Sequence, residues 1–315
     1  MKILRSIAEL ASLPGPLVLA VGTFDGLHLG HQALIRHSMG EAAAVDGTAV
    51  VVTFDRHPAS VVRPDQAPKL LTTTLSKLEL LEQMNVPVVL LLEFNKALAA
   101  IPPEEFIRSL SVAAKPLRMI CVGSQWSFGM GGKGNITLLE RLGKEWGFSV
   151  AGIHPVEALG SPISSTRVRQ AIAGGDFEEA RVCLGRSFLL SGSVVSGAGL
   201  GSRIGFPTAN LDVHEMQLPP DGVYAVKAHY RRGMRNEEKI YGGVANIGVR
   251  PTVNRASAER TVEVHLFNVS ENFVGKKLDV EFIHYLRSEE KFSDLAALTA
   301  QIARDCDRAR EILSE

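Results

Sequence analysis

Two histidines three residues apart, His28 and His31, lie in the stretch "GTFDGLHLGH" at positions 22–31. Gly22, Gly26 and Gly30 punctuate it, with Phe24 and Asp25 between the first two. Glycines let backbone amides approach a ligand closely. A helix that follows such a turn offers unpaired N–H groups and a positive dipole end to a phosphate. Residues 28 and 31 then share one side of the first helical turn. Their imidazole N–H groups could donate to phosphoryl oxygens there. Two blander readings stand beside this one. A histidine at a helix start often serves as a cap or is simply solvated. A zinc site would need three or four protein ligands, and no spacing recruits His37 or His57 to the pair.

Three more stretches carry chemistry-bearing residues. In "ISSTRVRQAI" at 163–172, Ser164, Ser165 and Thr166 are N-cap residues, followed by Arg167 and Arg169. The same capping geometry binds phosphate, with arginine supplying a fork of donors; a capped helix with solvated arginines is the alternative. In "GAGLGSRIGFPTANLDV" at 197–213, a dinucleotide fingerprint fails because position 202 is serine. A glycine-rich flap that includes Gly205 is the functional reading, and a flexible loop the other. Thr208 and Asn210 then offer a hydroxyl and an amide oxygen, hard ligands suited to Mg²⁺, in a "PTAN" stretch that also reads as a turn. In "RTVEVHLF" at 260–267, Val262, Val264 and Leu266 point to one face of a strand, and Glu263 and His265 to the other. Glu263 could take a proton from a substrate hydroxyl if that face lines an open barrel mouth; otherwise it is a solvated carboxylate.

These residues need elements to hold them. Over 16–184, continuous apolar runs ("PLVLAVG", "TAVVVTF", "VPVVLLL", "LRMICVG", "FSVAGIH") alternate with helix-like stretches such as 74–84 and 103–113. Such runs fit strands buried on both faces of a parallel sheet, and the rhythm is that of a Rossmann-like doubly wound α/β fold. The histidine stretch follows the first run, so it falls at the carboxyl edge of the sheet, where ligands bind. After about Gly185 the texture changes to strand-like runs separated by Gly, Pro, Asn or charged turns. That predicts a small antiparallel β-barrel. A terminal helix follows, with Ser293 as its expected cap and Leu295, Leu298, Ile302 and Cys306 at helical spacing.

Bulk composition removes several classes. The 315 residues suffice for two cores. Lys plus Arg and Asp plus Glu both number 34, so no broad basic face for nucleic acid is expected. Small anions need only a few local cations. Three scattered cysteines contain no CxxC pair and fit a reducing compartment. The N-terminus lacks a leader-type apolar region, and the strongest apolar run, 86–92, is too short to span a bilayer. The expectation is a cytoplasmic protein with neither membrane nor nucleic-acid partners.

The pair "GTFDGLHLGH" and "ISSTRVR" resembles nucleotidyltransferases of the HxGH type, and more closely the bacterial bifunctional riboflavin kinase/FAD synthetase family. "VTFDRHP" at 52–58 resembles that family's F-x-P-H-P stretch, with Arg56 where proline is usual. "GSQWSFGMGGKGN" at 123–135 resembles its G-x-(D/N)-F-x-F-G stretch. There Gln125 replaces Asp or Asn, Trp126 replaces Phe, and Gly132 stands where Arg is usual. Further on, "GFPTANL", "LPPDGVYAV", "GGVANIGVRPTV", "VEVHLF" and "LRSEEKF" occur in the family's order. In "NFVGK" at 272–276, Val274 replaces a tyrosine.

The resemblance implies an FMN adenylyltransferase over 1–185 and a riboflavin kinase over 186–315. It places Gly22, Phe24, Asp25, Gly26, His28, His31 and Ser164 to Arg167 on ATP. It places Phe54, His57, Pro58, Gln125, Trp126 and Phe128 on the flavin. In the second half it puts Gly205, Thr208 and Asn210 on Mg²⁺–ATP and makes Glu263 the catalytic base. Riboflavin, FMN and FAD are then substrates and products. Two other readings stay open here: an active kinase joined to a weakened or altered adenylyltransferase, and a flavin-binding regulatory protein.

Overall fold

The computed structural model describes residues 1–197, 199–232, 237–249, 260–269 and 271–314. Ala198 of the glycine-rich stretch and positions 250–253 of "GGVANIGVRPTV" lie outside these described residues. The chain divides into two compact units, one of residues 1–168 with 183–185, the other of 169–182 with 186–315.

The first unit is built on six parallel strands: β1 (Lys2–Leu4), β2 (Leu17–Val21), β3 (Thr48–Phe54), β4 (Val88–Leu92), β5 (Leu117–Gly123) and β6 (Ser149–Ile153). They lie in the order β1-β4-β3-β2-β5-β6. Helices α1 (Leu29–Ala44), α2 (Ala59–Val62), α3 (Thr74–Gln83), α4 (Lys96–Ala99), α5 (Pro103–Ala113) and α6 (Ile136–Trp146) connect them. A two-stranded hairpin, β7 (Glu157–Ala158) and β8 (Ser161–Pro162), precedes α7 (Ser165–Gly174) and α8 (Phe177–Leu184), of which residues 169–182 count with the second unit.

The five apolar runs are the strands β2 to β6. Successive residues of β2 enter different cores: Leu17, Leu19 and Val21 pack on one face of the sheet, Val18 and Ala20 on the other. Burial on both faces is why the run is continuous instead of alternating. From β2 the chain winds outward to β3 and β4 on one side, and later to β5 and β6 on the other. The end of β2 is therefore the point where strand order reverses, and a crevice opens there beyond the strand ends.

The second unit is a closed barrel of antiparallel strands β9 (Leu189–Val195), β10 (Ala209–Asp212), β11 (Gly222–Arg232), β12 (Glu237–Val249), β13 (Arg260–Leu266) and β14 (Lys277–Arg287). A short helix, α9 (Leu200–Arg203), precedes β10, and α10 (Leu295–Ser314) ends the described chain. Helix α10 lays Ile302, Cys306, Ala309 and Leu313 against Val223, Val244 and Phe267. It is also clasped by Arg287 of β14, whose Nη2 and Nε donate to the Asp305 carboxylate at 2.8 and 3.0 Å. Among the described residues no helix is long and apolar enough to cross a membrane.

One element is added to the expected set and two local expectations are corrected. Strand β1 adds a parallel edge to β4 that no apolar run announced. "PTAN" is not a plain turn: Ala209–Asp212 is a strand, held between β9 and β13 by ladders on both sides. The cap of α10 is Asp294, whose carboxylate accepts from Ala297 N at 2.8 Å, and not Ser293.

Candidate functional sites

Beyond β2 the chain turns through three residues of positive φ: Phe24 (52°), Gly26 (78°) and Leu27 (43°). Such backbone persists where its surroundings over-determine it. Here the Asp25 carboxylate accepts from Leu71 N (3.0 Å), Thr72 N (3.1 Å) and Thr72 Oγ1 (3.2 Å). Gly26 N in turn donates to Thr72 Oγ1 at 3.1 Å. Gly22 has no room for a Cβ, which would lie 2.9 Å from the Phe24 ring.

The two histidines meet in this turn. His28 is the N-cap of α1, and its Nδ1 accepts from His31 N at 3.3 Å. That bond marks Nδ1 as the unprotonated nitrogen, so neutral His28 carries its proton on Nε2. The two rings stack at 3.6 Å between centroids, 18° from parallel, and the Phe24 ring stands edge-on to His31 at 5.3 Å. His28 is therefore a cap, and the cap places two imidazoles at a helix N-terminus on the switch point of the sheet.

The "ISSTRVR" stretch reaches the same turn. Ser164 Oγ accepts from Arg167 N at 3.2 Å and opens α7. Ser165 Oγ donates to Asp25 O at 2.9 Å. Thr166 stands in the first turn of α7. Arg167 instead turns to the β7–β8 hairpin, where Nη1 donates to Ser161 O (2.8 Å) and Ala158 O (2.9 Å).

The six residues expected to hold flavin converge. Phe54, His57, Pro58, Gln125, Trp126 and Phe128 all line one cavity of about 930 Å³, together with Thr23, Phe94 and Arg63. That is the size range of ligand pockets, roughly 300–1,000 Å³. Trp126 stacks on Phe128 at 4.4 Å and 16°, and Phe54 meets Phe94 edge-on at 5.1 Å. His57 Nδ1 accepts from Ala59 N at 3.1 Å, which orients its ring at the start of α2. Gly134 is required beside this wall, since a Cβ there would lie 2.7 Å from the Phe128 ring.

One residue bonded to the backbone of two cavity residues, Thr23 and Phe54, escaped the sequence reading. Lys77, in α3, is 6% exposed. Its ammonium donates to Phe54 O (2.7 Å), Thr53 Oγ1 (3.2 Å) and Thr23 O (3.2 Å). Burial pushes its pKa down from 10.5 to about 8, against the upward pull of Asp25 and then Asp55. In the sequence it is one lysine in a helix-like stretch, with nothing to set it apart from a solvated one.

In the barrel unit the expected residues also come together. Val262, Val264 and Leu266 are buried, while Glu263 and His265 are half-buried on the opposite face of β13. Asn210 of β10 and Asn246 of β12 are the direct cross-strand partners of Glu263. Thr208 Oγ1 donates to Glu263 Oε2 at 3.2 Å. His265 Nδ1 bonds Pro207 O at 2.8 Å, tethering the segment that carries Thr208. A cavity of about 400 Å³ lies alongside, lined in part by Gly197, Ser202, Thr208, Asn210 and Asn272. Gly197 packs directly on the Asn210 amide, where a Cβ would overlap it. Gly205 takes φ +88° in the loop between α9 and β10. Asn246 Nδ2 donates to Glu289 Oε1 at 3.1 Å, a second polar pair that sequence reading missed.

Among the described residues no cluster of three or more His, Cys, Asp or Glu could hold a metal by itself. Thr208, Asn210 and Glu263 offer a hydroxyl, an amide oxygen and one carboxylate, a hard-oxygen set that suits a cation delivered together with phosphates.

The comparisons with known proteins follow the two units. The FAD synthetase family model matches residues 11–167, and the riboflavin kinase family model matches residues 184–313. A bifunctional riboflavin kinase/FMN adenylyltransferase of Escherichia coli K12 is 38% identical over 312 residues, 99% of this chain and 97% of that protein. The Bacillus subtilis 168 protein of the same description is 34% identical, covering 93% and 91%. A crystal structure from Streptococcus pneumoniae described as a macrolide-efflux protein superposes with a TM-score of 0.78 at 28% identity, over 98% of this chain and 99% of that one.

Proposed function

The chain belongs to the bifunctional riboflavin kinase/FMN adenylyltransferase family, and on that premise we propose which residues carry each reaction. Glu263 is the general base of the kinase. It orients the 5′-hydroxyl of riboflavin and accepts its proton as the hydroxyl oxygen bonds to the γ-phosphorus of ATP and ADP departs. Thr208 and Asn210 would hold Mg²⁺, which supplies screening of the phosphate charge when bound with ATP. The observation that carries this assignment is the register of the barrel: Asn210 lies directly opposite Glu263, and Thr208 donates to its carboxylate. Phosphoryl transfer depends mainly on such positioning and electrostatics.

The parallel-sheet unit carries FMN adenylylation. An oxygen of the FMN phosphate bonds to the α-phosphorus of ATP, the bond to the β-phosphate breaks, and pyrophosphate leaves. The attacking phosphate is already anionic, so this half needs no strong base. His28, His31 and the N-terminus of α1 meet the nucleotide phosphates, while Ser164 to Arg167 form the second wall. The aromatic cavity takes the flavin ring. Both reactions belong to the cytoplasm, where ATP and reduced thiols are found together.

The test uses the full chain with ATP and Mg²⁺, following flavins by chromatography. Glu263→Gln abolishes FMN formation and spares FMN-to-FAD conversion; His28→Ala does the reverse. If each variant depresses both steps equally, the assignment of residues to two sites is wrong.

A further inference from the structure

Helix α3 and the residues leading into it hold two loops at once. On one side, Leu71 and Thr72 bind the Asp25 carboxylate and Gly26 of the histidine turn. On the other, Thr74 Oγ1 donates to Asp55 O, just past the end of β3. Lys77 completes the grip, with one ammonium shared between Thr23 O, Thr53 Oγ1 and Phe54 O. The pairing of β2 with β3 ends short of this point, although β3 stays paired with β4 as far as Phe54. The β2–β3 register runs to Val21 and Val52, and Gly22 N still reaches Val52 O at 3.1 Å. Thr23 and Phe54, two residues beyond Val21 and Val52, are joined through Lys77 and through Thr53 Oγ1, which donates to Thr23 O at 3.1 Å.

Thr23 and Phe54 both line the aromatic cavity. Thr23 also begins the turn that carries His28 and His31, whereas Phe54 begins the stretch that carries His57 and Pro58. The two walls meant for nucleotide and flavin thus stand on neighbouring strands. A buried ammonium is a costly way to join them, because well-packed apolar residues in place of buried charge are often neutral or stabilising. We propose that Lys77 is a positioning residue for adenylyl transfer: by tying the Thr23 carbonyl to the Phe54 carbonyl, it fixes the spacing between bound ATP and the FMN phosphate that attacks it. The inference rests on FMN adenylylation residing in this unit.

A spacing role has a kinetic signature. Each substrate still meets its own wall, so binding changes little, but misalignment of about 1 Å can cost on the order of 100-fold in rate. The test is Lys77→Met in the full chain, with FMN-to-FAD and riboflavin-to-FMN conversion measured on the same preparation. The expected result is an FMN-to-FAD kcat down by about 10- to 100-fold, KM for FMN and ATP within about threefold, and riboflavin phosphorylation unchanged. A kcat within twofold of the parent overturns the proposal, as does a KM effect without a kcat effect, or a parallel fall in both reactions. If Lys77→Met does not fold, Thr53→Val decides. It removes one of the three acceptors at constant shape and is expected to lower the same kcat about threefold or more; no change overturns the proposal. Failure of the parent chain itself to make FAD from FMN would instead sink the underlying assignment.

Discussion

His28 does two things that different substitutions separate. It caps α1 through the 3.3 Å bond from His31 N to its Nδ1, and it presents an imidazole, stacked on His31, at the helix N-terminus. Replacing a capping side chain by alanine costs about 0.5–2 kcal/mol, and the long bond points to the lower half of that range. His28 is also 6% exposed, so alanine leaves unfilled space beside His31 and brings the total to about 1–3 kcal/mol. In a unit of this size that lowers the unfolding temperature by about 2–12 °C, at about 2–4 °C per kcal/mol. Asparagine is among the best N-caps and restores most of the capping part. It does not restore the ring. Losing one preorganised donor to a transition-state anion costs about 10²–10³ in kcat.

Stability and activity should therefore come apart. His28→Asn is expected to melt closer to the parent than His28→Ala, while both lose about two orders of magnitude or more in FMN-to-FAD turnover. Riboflavin phosphorylation by the same samples reports that the rest of the chain is intact. The assays are thermal unfolding and chromatographic detection of FAD from FMN, ATP and Mg²⁺. If His28→Asn keeps FAD formation within threefold of the parent, the imidazole is not needed and His28 is a cap alone.

Trp126→Ala removes one member of the stacked pair at the cavity wall. An aromatic contact is worth about 0.5–1.5 kcal/mol beyond buried area, so FMN binding, read by flavin fluorescence, should weaken by up to about tenfold. Arg287→Ala leaves the Asp305 carboxylate, only 7% exposed, without its guanidinium. Breaking such a pair costs about 3–5 kcal/mol, and thermal melts and proteolysis should show α10 loosened from the barrel. Lys77 also predicts a pH effect. Its folded pKa of about 8 lies below the ordinary 10.5, so between those values the unfolded chain holds the proton that the folded chain has released. Stability then rises with pH through this window, by about 3 kcal/mol in all, and has no slope from this group below it. The Cys121 thiol, pushed up by burial to about 12, acts in the opposite sense above pH 9. The quantity to measure is therefore the unfolding temperature of the parent minus that of Lys77→Met, which should climb from pH 8 to pH 10.5; a flat difference refutes the buried-charge reading.

Strands β2 to β6 were legible because a parallel sheet covered on both faces writes continuous apolar runs between glycine and proline breaks. What escaped was structure that depends on neighbours. Strand β1 has one buried residue in three, too little pattern for any local signal. Strand β10 carries turn-forming residues and is extended because β9 and β13 both pair with it. Lys77 is the sharpest case. In "TLSKLELLEQ" a lysine next to Ser76 reads as the wet side of a helix, and only the backbone carbonyls of Thr23 and Phe54 turn that side inward. The histidine pair was the reverse case. Spacing alone placed both rings on the first turn of a helix, and the structure shows that capping by His28 is how they are held there.

The charge pattern gives the same logic in another form. A chain with 34 basic and 34 acidic side chains has no surplus cation to spread over a surface. Around the histidine turn the charges present are largely answered: Lys77 feels the opposite charges of Asp25 and Asp55, and the Asp25 carboxylate is engaged by backbone and hydroxyl donors from residues 71 and 72. On the proposed assignment, the groups that would meet a polyphosphate are dipoles, namely the N–H groups of α1 and imidazoles that can donate while neutral. Fixed dipoles do not have to reorganise as charge develops on the reacting phosphorus, and they lose less to salt screening than exposed ion pairs do. Their usefulness depends on how rigidly they are held. That requirement is what the clamp of residues 71–77 meets, and it is why a buried ammonium bonded to three oxygens at the strand ends can matter to a reaction whose substrates it need not touch.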